Sequence, residues 1–372
     1  ESSRFIGNVS WEGGGGLCIS DPEGLRADDD SDILLICNTD FISNEAKNED
    51  GVTNTSNKGG AVYNRIGAET IMVNCVIAGN FSEEEGGGTC NAEFVTNTNT
   101  ETRLDMHNCL LVGNWCKTNT TGDKDVGGGH FNRDDGQSEL VNCTLIDNYA
   151  DFKYGGVANR DTNSVLLLRN SIVYDNTDGH SQTGVAEEVN YDGDNLHDEN
   201  VDNNVIGEVG DEFVVEGGQS EVNTSNDPGF ADGLSGLSWS TGIYDPDTGT
   251  TAFSGLSGLP AGLGGMLFKP KSSGGHEYLL IISNTATSID CWGKTAESNE
   301  TGLVFNPFLC VAPGCNLVHA AEDFGDSGHL PDDFCDIDDD DNKAEALPWD
   351  LYENPRNQGN APDSGVSEVD PG

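Results

Sequence analysis

Methionine is nearly missing from this chain, with 3 in 372 residues, and aromatic side chains make up only 7%. Basic residues are scarce too: 17 Lys and Arg stand against 65 Asp and Glu, a formal net charge of −48. Phosphate binding needs clustered Lys and Arg, so this balance excludes a nucleic-acid partner. It also argues against anionic membranes. No apolar run is long enough to cross a bilayer, so no membrane span is expected. The sequence opens at Glu1 with neither an initiator Met nor a signal-peptide core, which reads as a processed or trimmed chain. No CxxC pair stands at zinc-site spacing, and the eleven cysteines cannot all pair within one chain because the count is odd. The acidity leaves two readings, a charge-saturated surface that stays soluble in salt or one that collects divalent cations.

What the chain does have is a repeat. Five segments share the pattern Asn, five residues, Asn: Asn38–Asn44, Asn74–Asn80, Asn108–Asn114, Asn142–Asn148 and Asn170–Asn176. Their starts are 36, 34, 34 and 28 residues apart, a period of the kind that stacked solenoid units show. Two residues before the leading Asn sit Ile36, Met72, Met106, Leu140 and Leu168. Three after it sit Phe41, Ile77, Leu111, Leu145 and Val173, and one after it the small residues Thr39, Cys75, Cys109, Cys143 and Ser171. This is strand periodicity on either side of a bend. Asn suits the bend because it tolerates the left-handed region, and stacked copies about 4.8 Å apart can bond amide to amide.

A Gly-rich strand start alternates with this motif: GGGGLC from Gly13, then GGAVYN, GGGTCN, GGGHFN and YGGVAN, ending at Asn64, Asn91, Asn132 and Asn159. Its inward positions are expected to be Gly16, Ala61, Gly88, Gly129 and Gly156, followed by Cys18, Tyr63, Cys90, Phe131 and Ala158. The pattern predicts an all-β fold, a right-handed parallel β-helix of the pectate-lyase-like kind with a loop-rich C-terminal capping region. Coils are expected over residues 1–232. Residues 233–277 then read as a Gly/Ser-rich insertion, and 278–372 as a terminal strand, YLLIISNTATSID, with an acidic tail wrapping the end of the helix. Cys75, Cys109 and Cys143 read as buried inert thiols packed as small hydrophobes. Cys291, Cys310, Cys315 and Cys335 lie where disulfides would help most, with pairing left open.

The run GGAVYN…TIMVNCVIAGN…GGGTCN…RLDMHNCLLVGN resembles the bacterial β-helix surface proteins that carry the choice-of-anchor Q domain. The later segments NNVIG, DPGFAD, YLLIISNTATSID, LPWDLYENPR and SEVDPG follow in that family's order. GGAV at Gly59 and FISN at Phe41 are also similar to the short repeats of chlamydial polymorphic outer-membrane proteins. The first resemblance implies an extracellular or cell-surface location, with an anchoring segment beyond Gly372. It implies no particular activity.

Two groups of residues could carry chemistry. Asp105 and Glu139 each stand three residues before their leading Asn, so they face outward on adjacent coils, with His107 and Arg169 on the same face. They are the candidates for catalysis, since close carboxylates shift each other's pKa or recruit a cation. Asp336, Asp338, Asp340 and Asn342 place oxygen ligands at alternate positions, as a wrapped Ca²⁺ loop requires. Asp28–Asp30 and Asp192, Asp194 and Asp198 are weaker versions of that loop. Sequons at Asn8, Asn54, Asn80, Asn119, Asn142, Asn223 and Asn299 lead to the expectation of a glycoprotein, with Asn80 and Asn142 read as structural members of the repeat. The leading expectation is a structural or adhesive surface protein that associates through the helix ends into filaments or a layer. The alternatives are a polysaccharide lyase or glycoside hydrolase, and a carbohydrate-binding module, for which aromatic platforms look too few.

Overall fold

The computed structural model describes residues 3–21, 33–48, 57–92, 102–117, 126–160, 164–179, 189–192, 201–202, 204–206, 223–224, 230, 233–295, 300–307, 325–338, 340–356, 362–363 and 365. The protein is all-β. Four parallel sheets of eight, six, six and six strands form the walls of a solenoid, and a seven-stranded antiparallel sheet lies against it. One turn visits the walls in order. Glu69–Val73 leads into Val76–Ala78, then Phe81–Ser82, then Thr89–Ala92, and Arg103–His107 begins the next turn. Neighbouring turns pair in register, Met72 with Met106 and Ile77 with Leu111. The main core is the expected one: Ile36, Met72, Met106, Leu140 and Leu168 from one wall meet Phe41, Ile77, Leu111, Leu145 and Val173 from the next.

The leading asparagines make the predicted bend, with φ of 48°, 54°, 55°, 54° and 48° at Asn38, Asn74, Asn108, Asn142 and Asn170. The continuous ladder is built by the trailing asparagines instead. The amides of Asn44, Asn80, Asn114 and Asn148 donate to the Oδ1 of the next copy at 2.9, 2.8, 2.9 and 2.8 Å, ending on Asn176. Each also donates backward to a main-chain carbonyl, Asn114 to Ile77 O at 2.8 Å, while its own Oδ1 accepts the backbone N–H of the preceding copy. Every polar atom of the buried amide is thereby satisfied, as the interior demands. A second ladder runs Asn64–Asn91–Asn132–Asn159.

The Gly-rich strand start has a steric cause. Gly86 sits at φ +66°, and a Cβ on Gly87 would lie 2.5 Å from both the Gly128 carbonyl and the Trp115 backbone. The small column is inward as expected, because the ladder fills the space beside it: a Cβ on Gly88 would meet the Asn114 amide at 3.1 Å. The next column differs from expectation. Val62 and Val157 join the main core, whereas Tyr63, Cys90, Phe131 and Ala158 pack in a separate cluster with Val126 and Tyr154. Alternation along the strand puts them on its outer side. They are buried there by the overlying chain, so burial on both faces hides the phase.

The stretch 233–277 is woven together with 279–305. Leu234–Ser238, Thr241–Asp245, Thr250–Ser254 and Leu267–Lys269 pair with Leu279–Asn284, Ser288–Trp292 and Thr301–Phe305 in one sheet, so the boundary expected after 277 falls inside it. YLLIISNTATSID is not one strand but a hairpin that turns at Asn284–Ser288. The leucines of GLSGLPAGLGG, Leu256, Leu259 and Leu263, are 3%, 6% and 4% exposed and seal one face of this sheet. The other face packs Leu267, Tyr278 and Phe305 against Val76, Leu110, Val112 and Ile146 of the solenoid. Gly113 makes room for that contact, since a Cβ there would be 2.0 Å from the Tyr278 ring. Tyr278 Oη donates to Asp147 Oδ2 at 2.7 Å, and Lys269 forms an ion pair with the same carboxylate.

The tail straps the flank of the solenoid rather than wrapping its end. Cys335 forms a disulfide with Cys37, and Leu347 packs on Ile71 and Val73. Arg356 donates to Asn108, and Asp326 exchanges two hydrogen bonds with Asn170. Asn108 and Asn170 are the strap's docking points among the leading asparagines, and both amide atoms of Asn142 are buried without a hydrogen-bond partner, so this column forms no complete ladder of its own. Cys75, Cys109 and Cys143 are free, fully buried thiols, with burial raising Cys109 well above its ordinary pKa. Cys310 and Cys315 lie outside the described residues.

Two outcomes follow from this interior. Asn114→Leu strands the Asn80 amide and the Ile77 carbonyl. Denaturant unfolding is expected to show a loss of about 3 kcal/mol, and a loss below about 1 kcal/mol would contradict the role of the ladder. His130 is fully buried between Thr89 Oγ1 and Ser138 Oγ, and burial pulls its pKa down to about 3. The unfolded chain binds a proton there below about pH 6.5 while the folded one does not, so stability falls as pH drops through that window. His130→Gln is expected to flatten the acid limb by about 1.4 kcal/mol per pH unit between pH 4 and 6. Parallel stability curves for the two proteins would contradict it.

Candidate functional site

Asp105 and Glu139 are register partners on adjacent turns, and His107 is two residues along from Asp105 on the same outward face. The structure brings the three together: a carboxylate oxygen from each acid and a ring nitrogen of His107 all lie within 4.8 Å of one another. Parallel in-register stacking produces the acid pair directly, because partners in neighbouring strands sit about 4.8 Å apart. Arg103 holds both acids, donating from Nε to Asp105 Oδ2 at 2.6 Å and from Nη2 to Glu139 Oε2 at 3.2 Å. Arg169 approaches the other oxygen of Glu139 at 3.6 Å.

The strap roofs this wall. Phe334 stacks on His107 with ring centroids 6.0 Å apart and planes 25° from parallel. Residues 328–332, His329 among them, complete a cleft of about 430 Å³ whose lining also includes Glu69. Asp105 and His107 are each 3% exposed. Burial, opposed by Arg103 and reinforced by Glu139, pushes Asp105 up to about 7, and burial pulls His107 down to about 4. Asp105 Oδ1 and both ring nitrogens of His107 are sealed from solvent without a hydrogen-bond partner. The sequence pattern found the three side chains; nothing local in it pointed to Phe334 or His329, which lie far along the chain from all three.

The acidic tail gathers as well. Asp336, Asp338 and Asp340 bring carboxylate oxygens within 4.8 Å of one another, and Asp338 also belongs to a second such group with Asp333 and Glu345. Asp333 Oδ1, Asp338 Oδ1 and Glu345 Oε1 are each buried without a hydrogen-bond partner. Burial, together with the charges of Asp338 and Asp336, holds Asp333 above the usual carboxylate range. Asn342 serves as a donor, from its backbone N–H to Asp340 and from its amide to Glu345 at 3.3 Å. Asp333 and Glu345 escaped the alternate-position pattern because one precedes it and the other follows it. Asp28–Asp30, Asp194 and Asp198 lie outside the described residues, as do the sequons at Asn54, Asn119 and Asn299. Asn80 and Asn142 are fully buried.

An aromatic column went unnoticed in the sequence. Phe81, Trp115 and Tyr149 are register partners on the outer face of the shortest strands and are half-buried. Phe81 and Trp115 lie 4.1 Å apart, and His276 stacks on Tyr149 at 4.1 Å. Each of these rings is therefore engaged by a neighbouring ring.

Among the described residues, no helix is long and apolar enough to cross a membrane. Comparison with known proteins returns nothing for this chain: no family model, no curated protein and no solved structure matches it.

The disulfide and the strap generate one expectation. Cys37→Ser with Cys335→Ser is expected to cost about 2–4 kcal/mol. It should speed hydrogen exchange over 325–356 while the solenoid strands stay protected. Unchanged exchange in the strap would show that side-chain contacts alone hold the roof down.

Proposed function

We propose that this chain is an extracellular or cell-surface structural protein: a right-handed parallel β-helix of the choice-of-anchor Q kind whose rods associate end to end. Right-handedness follows the rule that parallel strands joined by crossovers wind that way in about 98% of cases. The observation that carries the functional reading is the first turn. Its strands Ser3–Ile6, Val9–Ser10, Leu17–Ser20 and Leu34–Cys37 are the edge strands of all four walls. Of the seven exposed large hydrophobics among the described residues, five (Val9, Trp11, Ile33, Leu34 and Leu35) lie on it. An edge that no strand among the described residues pairs, ringed by apolar groups, is a template for another strand edge. The partner is then the opposite end of a second copy, a head-to-tail contact that extends into a filament.

Net charge of −48 opposes such stacking unless cations screen it. In this reading Ca²⁺ at the tail provides that screening, supported by the grouping of Asp336, Asp338 and Asp340 and by that of Asp338 with Asp333 and Glu345. Three buried, unpartnered carboxylate oxygens at that point favour a cation that takes only oxygen ligands. A second reading, a polysaccharide lyase or hydrolase, is favoured by the cleft in which two carboxylates and two arginines meet. The crowding of Asp105 and Glu139 counts against an inverting hydrolase, which needs carboxyl groups roughly 6.5–9.5 Å apart.

Negative-stain imaging of purified protein, in calcium and in excess chelator, tests the proposal. Filaments or sheets are expected in calcium, and Leu35→Lys on the open edge should abolish them. Asp338→Asn with Asp340→Asn should remove the calcium dependence. Single rods under both conditions would overturn the assembly reading, and a polysaccharide-degradation screen would then be the decisive assay.

A further inference from the structure

We infer that Asp105, His107 and Glu139 form a binding site for a divalent transition-metal ion of the zinc or manganese class, separate from the acidic tail. One imidazole nitrogen and two carboxylate oxygens lie within 4.8 Å of one another. An ion with metal–ligand bonds of about 2.0–2.2 Å holds its ligands at most about 4.4 Å apart, so small rotations close the set. Imidazole with carboxylate selects zinc, manganese or iron(II) over calcium, which takes oxygen ligands alone.

The unpartnered groups point the same way. His107 is 97% buried, yet neither ring nitrogen has a hydrogen-bond partner, and Asp105 Oδ1 beside it has none. A buried imidazole carries one donor and one acceptor, and leaving both unmade costs roughly 1–3 kcal/mol apiece. A metal ion on one nitrogen and on Asp105 Oδ1 accounts for two of these three atoms.

Charge agrees. The cleft is lined by four carboxylates, Glu69, Asp105, Glu139 and Asp332, against two guanidiniums, Arg103 and Arg169. With all four ionised, the surplus of two negative charges is what a dication neutralises. Arg103 takes Asp105 Oδ2 and leaves Oδ1 free, so it orients the carboxylate as a supporting hydrogen bond does in metal sites. Phe334 fixes the plane of the His107 ring from above. Three protein ligands leave further coordination positions of such an ion to be filled, and His329, with a buried unpartnered Nδ1, lines the same cleft.

Chelator-stripped protein, with calcium held saturating to occupy the tail, is titrated with Co²⁺ and then Zn²⁺. One equivalent of Co²⁺ should bind with visible absorption and be displaced by Zn²⁺. X-ray absorption of the zinc form should show imidazole nitrogen among oxygen ligands. His107→Gln should weaken binding at least tenfold, and Glu139→Gln should weaken it with the fold intact by circular dichroism. Asp338→Asn with Asp340→Asn should leave it unchanged. Absence of the bound equivalent, an all-oxygen ligand set, or undiminished binding in a folded His107→Gln protein would each overturn the assignment. If that variant does not fold, the ligand set of the unaltered protein decides alone.

Discussion

Everything in this molecule depends on stacking at a fixed strand-to-strand distance. Once turns pair in parallel and in register, each side chain has its own equivalent directly above and below it. For an apolar residue this is trivial. For a buried amide it is a severe demand, because both donors and the acceptor must be met inside the wall. The ladder from Asn44 to Asn176 meets that demand with copies of itself plus one main-chain carbonyl per turn. The short asparagine amide is both donor and acceptor to its own copies, so an apolar residue in the column leaves groups unpaired on both sides.

The same constraint explains the surface features. Asp105 and Glu139 are brought together by register, as are Phe81, Trp115 and Tyr149. A repeat that positions like beside like makes acid pairs and ring stacks without any special device. What distinguishes one such coincidence from the rest is what covers it. The acid pair is roofed by Phe334 and steadied by Arg103, so its charges are dry and close. The aromatic column is only half-covered, and its rings are spent on one another.

The parts legible in the sequence are those that recur. Met72, Met106, Leu140 and Leu168 announce an inward wall because four turns repeat the choice, and Asp105, His107 and Glu139 could be set on one outward face by counting from the bend. The phase of the Gly-rich strand was not legible at Tyr63, Cys90 and Phe131, because apolar residues there line an outer face that other chain buries. Periodicity reports burial, and burial on both sides erases it. The bend and the continuous ladder fall to different asparagines for a related reason: Asn74 and Asn80 recur equally well, and only the bend geometry separates the one that turns the chain from the one that stacks throughout. The strap and the antiparallel sheet have no repeat. Cys335 finds Cys37 across 298 residues, a contact that no local pattern encodes.

That crosslink also alters how the molecule would carry load. A tension applied between the first turn and the strap beyond Cys335 passes from Cys37 straight through the disulfide to Cys335. The turns between them sit in a closed loop off the force path, so the rod would be nearly inextensible along that route and its hydrogen-bonded walls would stay unloaded. Reducing one bond would put nearly three hundred residues in series with the pull, turning a stiff tether into one that can lengthen turn by turn.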